Sequence, residues 1–283
     1  MRPSRLERAL ALVGSVVILL AIFLPIGWMV ISSVSPREEL LATPPHWIPE
    51  HLDLQHYVDI LLPSSGTDDV ALTFRAAIWN SIQVGVVVTA LGLLFAIPAG
   101  YALARIPMRG ARPIVTLILA TRMLPAISTV IPLYLVAATL GLLDTKAVLV
   151  VLYLSFVLPF AVWILSGFFA SVPREVEEAA MLDGAGRVRT LRSVVLPVAL
   201  PGVAATAIFS FLLSWDEFFF PLIFTSTRDA KMVPVAISEF TGRHAVDFGA
   251  MATGGVLAAI PVIVVALLFN RLIVSGLTAG AVK

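Results

Sequence analysis

An all-α, polytopic membrane bundle of about six transmembrane helices is the fold class this sequence predicts, and three observations predict it. Of the 283 residues, 59% are hydrophobic and only 13% are charged, against roughly a quarter charged in a soluble domain. The mean hydropathy of +0.99 comes from uninterrupted apolar stretches, not from one face of amphipathic elements. Six of those stretches reach the ~20 residues that a helix rising ~1.5 Å per residue needs to cross a ~30 Å hydrocarbon core. They are read as helices because single open strands cannot satisfy their backbone groups in lipid.

The first stretch, 9–33, follows Arg2, Arg5 and Arg8. Ser33-Val34-Ser35 is a small-x-small pattern, so a cleaved signal peptide is an alternative. The apolar run exceeds the ~7–15 residues of a signal-peptide core, and the segment is kept as a span. The second, 76–104, contains Asn80-Ser81 near its start, and its Gly92, Ala96 and Gly100 form a small-residue face suited to helix packing. The third, 113–140, contains Arg122 and Pro125; the fourth, 147–172, contains Pro159. The fifth, 198–224, carries Asp216, Glu217 and Pro221 toward its far end, and the sixth, 248–270, begins just after Asp247. Prolines inside spans, Pro25 and Pro98 included, kink helices and remove backbone donors that neighbours must replace. That argues for one packed membrane domain over residues 1–283, not for independent anchors.

Charge orients the spans. With the N-terminus inside, the cytoplasmic segments hold twelve Lys and Arg, from Arg2 to Lys283, and the outer segments hold six. The bias follows the positive-inside rule and puts both termini in the cytoplasm. Loops 35–75, 141–146 and 225–247 then lie outside, with His46, His51, His56 and His244. The first three recur every five residues, which does not align them on one helix face, so no metal site is expected. The absence of cysteine excludes disulfides, thiolate ligands and cysteine catalysis. No Gly-Lys pair occurs, so the phosphate-binding loop of a P-loop ATPase is absent, and the net charge of +1 gives no reason to expect nucleic acid. An intramembrane enzyme would need a nucleophile and base, or metal ligands, at membrane depth; no histidine is placed there.

The loop between the fourth and fifth spans, 173–197, is the most informative stretch. Pro173 suits a first helical turn, where its missing N–H is no loss. Glu175, Glu177 and Glu178 sit near the positive end of the helix dipole. Ala179 and Ala180 leave room for a close partner, and Asp183-Gly184 is a stop signal in which glycine can take the left-handed conformation. A second short helix follows, in which Arg187, Arg189 and Arg192 alternate with Val188, Leu191, Val194 and Val195, ending at Pro197. From these residues alone, two readings stay open: a docking surface for another protein, or a solvated amphipathic loop at the headgroup boundary.

The same residues carry a resemblance. Glu178-Ala179-Ala180, then Gly184, then nine residues, then Val194-Val195-Leu196-Pro197 resemble the EAA signature of ATP-binding-cassette importer permeases, which usually has Ile where Val194 stands. Asn80-Ser81, Met123-Leu124-Pro125, Trp215-Asp216-Glu217-Phe218 and Pro221-Leu222 are similar to the maltose-type carbohydrate permeases. So is the tail 275–283, which closes on Gly-Leu-Thr-Ala-Gly-Ala-Val-Lys. The family usually has Asn where Asp216 stands. The resemblance covers nearly the whole chain and implies a multi-pass subunit of a bacterial or archaeal plasma membrane. That subunit would form half of a translocation pathway with a second, non-identical permease.

It further implies that loop 173–197 is a coupling helix docking on a cytoplasmic ATPase dimer through Glu178, Ala179, Ala180, Asp183, Gly184, Leu196 and Pro197. The tail, with Gly276, Thr278, Gly280 and Lys283, is implied to reach the same ATPase. ATP and Mg would be held by that partner, with no cofactor on this chain, and the outer loops would meet an extracellular solute-binding protein. Three readings of the intramembrane charges stay open. Arg122 pairs with Asp216 or Glu217, the acids sit at the headgroup boundary, or Arg122, Trp215, Asp216 and Glu217 line a solute path. The alternative function is a six-span secondary transporter or channel working without ATP. Such proteins usually hold several ionisable groups at mid-membrane, which most of these spans lack.

Overall fold

A computed structural model of the chain describes residues 5–44, 46–62, 69–107, 111–123, 125–240 and 247–281. Among these the regular structure is helical. The principal helices are α1 (Arg5–Ser33), α2 (Asp69–Arg105), α3 (Ala111–Ala120), α4 (Ala126–Thr139) and α5 (Lys146–Ser171). After them come α6 (Arg174–Leu182), α7 (Leu200–Trp215), α8 (Phe219–Phe224) and α9 (Phe248–Ala281). Among the described residues, four stretches are single helices long and apolar enough to cross a bilayer: Leu10–Ser33, Asp69–Arg105, Lys146–Ser171 and Phe248–Phe269. Arg187–Val198 and Leu200–Trp215, bent by 80°, make a fifth if taken as one broken span.

The two remaining expected spans are interrupted. In 113–140, α3 stops at Ala120, a 3-10 turn covers Thr121–Met123, and α4 starts after Pro125. Proline has no N–H to continue a helical ladder, so the interruption falls where Pro125 stands. In 198–224, α7 ends at Trp215 with Asp216 as its C-cap, and α8 begins at Phe219. The Glu217 carboxylate accepts the N–H groups of Phe219 (2.9 Å) and Phe220 (3.2 Å). It thereby satisfies first-turn donors that a new helix leaves open. The terminal helix runs to Ala281, so most of the expected tail has helical backbone.

The chain divides into two compact units, Met1–Arg75 with Ala236–Ile260 and Ala76–Val235 with Pro261–Lys283. In the first, the end of α1 is tied by short polar contacts. The hydroxyls of Ser33 and Tyr57 lie 2.8 Å apart, Thr253 donates to the Ser33 carbonyl (3.2 Å), and Asp53 N–H donates to that of Val34 (2.8 Å). Earlier in α1, the large apolar residues from Leu10 to Leu24 are exposed and left for lipid or another polypeptide. His56 Nε2 lies 3.6 Å from Asp247 Oδ1. Among the described residues no group of three or more His, Cys, Asp or Glu gathers to hold a metal; His244 lies outside them.

The second unit is organised around α5. Thr145 caps its start by accepting from Val148 N–H (3.3 Å). Near that end Leu149, Tyr153 and Val157 are buried with Val84 and Val88 of α2, Val130 of α4, and Phe220 and Phe224 of α8. Toward its C-terminus Ala161, Leu165 and Phe169 are buried with Ala96 and Tyr101 of α2 and with Val195. The small-residue face on α2 is what lets it approach. A β-carbon on Gly100 would stand 3.1 Å from both Leu165 Cβ and Ser166 N, and one on Gly92 would stand 3.4 Å from Val157 Cγ1. Gly100 therefore admits the neighbouring backbone itself, while Gly92 leaves room for the Val157 side chain.

Candidate coupling surface

At the end of α5, Val172 leaves the helix in an extended conformation and Pro173 precedes the first turn of α6. Helix α6 closes at Asp183, and Gly184 takes φ +81°. The N–H groups of Asp183, Gly184 and Ala185 donate to the carbonyls of Ala179, Met181 and Ala180 at 3.0–3.1 Å. This satisfies acceptors a helix end would otherwise leave open, and only a left-handed residue closes it. Short helical turns then follow from Arg187 to Val198, one of them a π turn over Leu191–Val195. Two short helices joined by a sharp bend, as expected from the sequence, are what forms.

The outward face of this hairpin holds Glu178, Ala179, Asp183 and Gly184, with Ala180 half-buried. Leu182 and Val188 stand beside them, 89% and 71% exposed, and Val176 and Met181 are exposed too. Apolar side chains this open, interleaved with charge, form a surface suited to another protein. Of the distal signature residues, Pro197 is exposed and Leu196 half-buried, while Val195 is fully buried in the core around Phe169.

Glu177 is turned the opposite way from Glu178. Its carboxylate is buried, accepts the Tyr101 hydroxyl (3.0 Å), and lies 2.6 Å from Arg105 Nε, although that N–H is not aimed along the line. The two charged side chains are 8% and 5% exposed. Arg105 also donates through its guanidinium to the Val172 carbonyl at the end of α5. Tyr101 and Arg105 lie four residues apart on α2 and so share a face, and Tyr101 packs edge-on against Phe169 with centroids 6.1 Å apart. Removing one partner of such a buried pair leaves an uncompensated charge costing about 3–5 kcal/mol. The sequence reading missed Tyr101 and Arg105. The partners are separated by 76 residues along the chain, and no local pattern links them.

At the other end of the second unit, Asn80-Ser81 acquires a role. The Asn80 amide donates to the carbonyls of Arg228 (2.9 Å) and Lys231 (3.1 Å), and Ser81 Oγ accepts from Val233 N–H (2.9 Å). Lys146 Nζ reaches Asn80 Oδ1 (3.3 Å) and Gln83 Oε1 (2.7 Å). Asp144, at φ +58°, accepts the N–H groups of Ser226 (2.8 Å) and Thr227 (2.9 Å). Partial burial pushes the Asp144 carboxyl upward, but these bonds, the Thr227 hydroxyl and the Lys231 charge outweigh it and hold it below the ordinary carboxylate value.

Of the residues expected on a solute path, Trp215 is buried and stacks on Phe211 (5.5 Å), Glu217 caps α8, and Asp216 is exposed. Arg122 lies in the 3-10 turn, and its side chain is outside the described residues. Gly276, Thr278 and Gly280 sit on the helical backbone of α9; Lys283 lies outside the described residues.

Comparison with known proteins places this architecture. Residues 92–278 match the family model "Binding-protein-dependent transport system inner membrane component". A trehalose/maltose transport system permease protein of Thermococcus litoralis is 35% identical, over 100% of this chain and 99% of its own. A trehalose transport system permease protein of Mycobacterium tuberculosis is 39% identical, over 74% of this chain and 77% of its own. Among solved structures, a chain of a bacterial ABC transporter involved in the import of the acidic polysaccharide alginate superposes with a TM-score of 0.78. It is 23% identical and covers 96% of this chain and 99% of that one; the likeness is one of fold.

Proposed function

The chain belongs to the family of binding-protein-dependent transport system inner membrane components, and from that premise we propose that it is the permease subunit of an ATP-driven importer for a carbohydrate: a sugar, oligosaccharide or polyol. The family makes it a multi-pass membrane subunit that works with a separate ATPase and a solute-binding protein and has no ATPase site of its own. Beyond that, a second, non-identical permease completes the pathway, and both termini face the cytoplasm. This chain holds no cofactor; the partner ATPase holds ATP and Mg.

The observation that carries the reading is the hairpin's outward face, where Glu178 and Ala179 stand free beside the Gly184 turn with Leu182 and Val188 exposed next to them. This face docks on the ATPase, with Glu178 meeting a basic side chain, Asp183 and Gly184 setting the bend, and Leu196 and Pro197 fixing the second arm. The tail 275–283, with Gly276, Thr278, Gly280 and Lys283, reaches the same partner. The sugar assignment draws on relatives named for trehalose and maltose transport. Asp216, exposed at the break between α7 and α8, is a contact on the solute path; Trp215 and Glu217 shape that break, and Arg122 is the cation on the path.

The test is purification of the intact complex from its native membrane, with mass spectrometry of the co-purifying chains. A thermal-shift screen of the recovered binding protein against trehalose, maltose and other oligosaccharides follows. The expected result is an ATPase, a second permease and a sugar-binding protein; recovery of a lone homo-oligomer overturns the reading. An Ala180→Arg variant should insert normally yet lose transport-linked ATP turnover. Retention of normal coupled turnover would overturn the docking surface while leaving the family untouched.

A further inference from the structure

The docking face of α6 and the buried side of α6 divide two adjacent glutamates between them, and the buried one has a use that docking does not explain. Glu177 is held by Tyr101 and Arg105, which are both on the last turns of α2. The same Arg105 guanidinium holds the carbonyl of Val172, the residue that follows α5. Three segments therefore converge on one charged group: the end of a membrane-crossing helix, the exit of a second, and the short helix outside them. The apolar surroundings reinforce the convergence, since Tyr101, Phe169, Val172 and Val195 share one core cluster. Arg174, Glu178 and Arg187 line the adjoining cleft.

We infer that Arg105 and Tyr101 are positioning residues that brace α6 to α2 through Glu177, so that a displacement of α6 is delivered to α2 as one body. The inference rests on α6 being the docking helix. Its physical basis is the asymmetry of buried charge. Letting α6 slide past α2 would pull a buried carboxylate away from the guanidinium and the hydroxyl that face it, which is costly relative to moving both helices together. Contacts of dispersion type alone would permit small sliding, whereas a buried ion pair with a hydroxyl hydrogen bond beside it selects one register.

The chain contains no cysteine, which makes the test direct. Spin labels are placed at Glu175→Cys on α6 and Leu94→Cys on α2, both exposed. The full complex is assembled with cysteine-free partner subunits, and pulsed dipolar spectroscopy reads the distance with no nucleotide and after trapping with ADP and vanadate. With the pair intact, the mean distance should agree between the two states within about 2 Å, the size of a helix adjustment in a packed core. In Arg105→Gln it should shift or broaden by about 5 Å, one helical turn. The charge exchange Arg105→Glu with Glu177→Arg should restore the single narrow distribution, which a loss of fold would not permit.

The inference is overturned if the parental distance already changes by a turn on trapping, if Arg105→Gln keeps the parental distribution in both states, or if the exchanged pair behaves like the single variant. Should Arg105→Gln fail to assemble, Tyr101→Phe removes only the hydroxyl bond and must produce a broadening of the same kind. Normal coupled turnover in Ala180→Arg would sink the docking surface instead, and the two failures are read on different variants.

Discussion

Replacing Gly184 separates backbone geometry from steric space at the bend of the hairpin. A β-carbon built there meets nothing within 4 Å, yet φ is +81°, so any cost arises from the backbone alone. An L-residue in the left-handed region costs about 1–2 kcal/mol. The narrower unfolded ensemble of alanine returns roughly 0.4–1 kcal/mol where the native conformation is compatible, and little where it is not. Gly184→Ala should therefore loosen the bend by about 1 kcal/mol, roughly a fivefold rise in local opening. Asparagine tolerates left-handed backbone, so Gly184→Asn should cost less. Proline fixes φ near −65° and deletes the N–H that donates to Met181 at 3.0 Å, so Gly184→Pro should abolish the turn. Hydrogen–deuterium exchange of the intact complex in nanodiscs, followed on peptides covering 174–190, reads all three. The expected order of exchange is parent, Asn, Ala, Pro. Alanine exchanging like the parent, or asparagine faster than alanine, would refute the assignment of the cost to φ.

Other perturbations follow from the same contacts. Gly100→Ala places a β-carbon 3.1 Å from Ser166 N and 3.3 Å from Val162 O, so overpacking of about 1–3 kcal/mol should exceed the ~1 kcal/mol gain in helix propensity and lower the melting temperature of the complex. Gly14→Ala, with nothing within 4 Å, is the matched control and should not lower it. Asn80→Ala removes two donated bonds to the backbone of the segment containing Arg228 and Lys231, a loss of about 1–3 kcal/mol. Trypsin should then cut after those residues sooner than in the parent, and an unchanged digestion pattern would contradict it. Asp144 has a depressed carboxyl, so its stabilisation is fully present above the ordinary value of 3.8 and is lost as pH falls through its lower folded value. Asp144→Asn should melt below the parent at pH 7, and the gap should close on acidification below about pH 4; a gap independent of pH would count against the carboxylate.

The reach of sequence reasoning follows from the range of the forces involved. Apolar run length reports a membrane span directly, because lipid and the packed faces of neighbouring helices are both apolar and no partner has to be named. Capping and turn chemistry is equally local. Pro173, Asp183 and Gly184 announce the hairpin because the geometry they impose lies within their own backbones. The breaks at Pro125 and at 216–218 were visible as prolines and acids, but not as interruptions. Whether a proline kinks or ends a helix depends on which neighbours satisfy the freed backbone groups. Glu217 illustrates the point: its sequence context leaves pairing with Arg122, headgroup placement and a solute path open, and in the fold it caps the next helix through Phe219 and Phe220.

By itself the sequence determined a chain of membrane-crossing helices and a two-armed loop whose signature points to a transport subunit, because composition, length and turn residues act over a few residues at a time. Tertiary structure alone decided which of two neighbouring glutamates faces outward, and what Asn80, Tyr101 and Arg105 hold. Those outcomes depend on surfaces brought together from distant parts of the chain. A side chain's partner is fixed by the packing of helices, and no single helix encodes the face its neighbour will present.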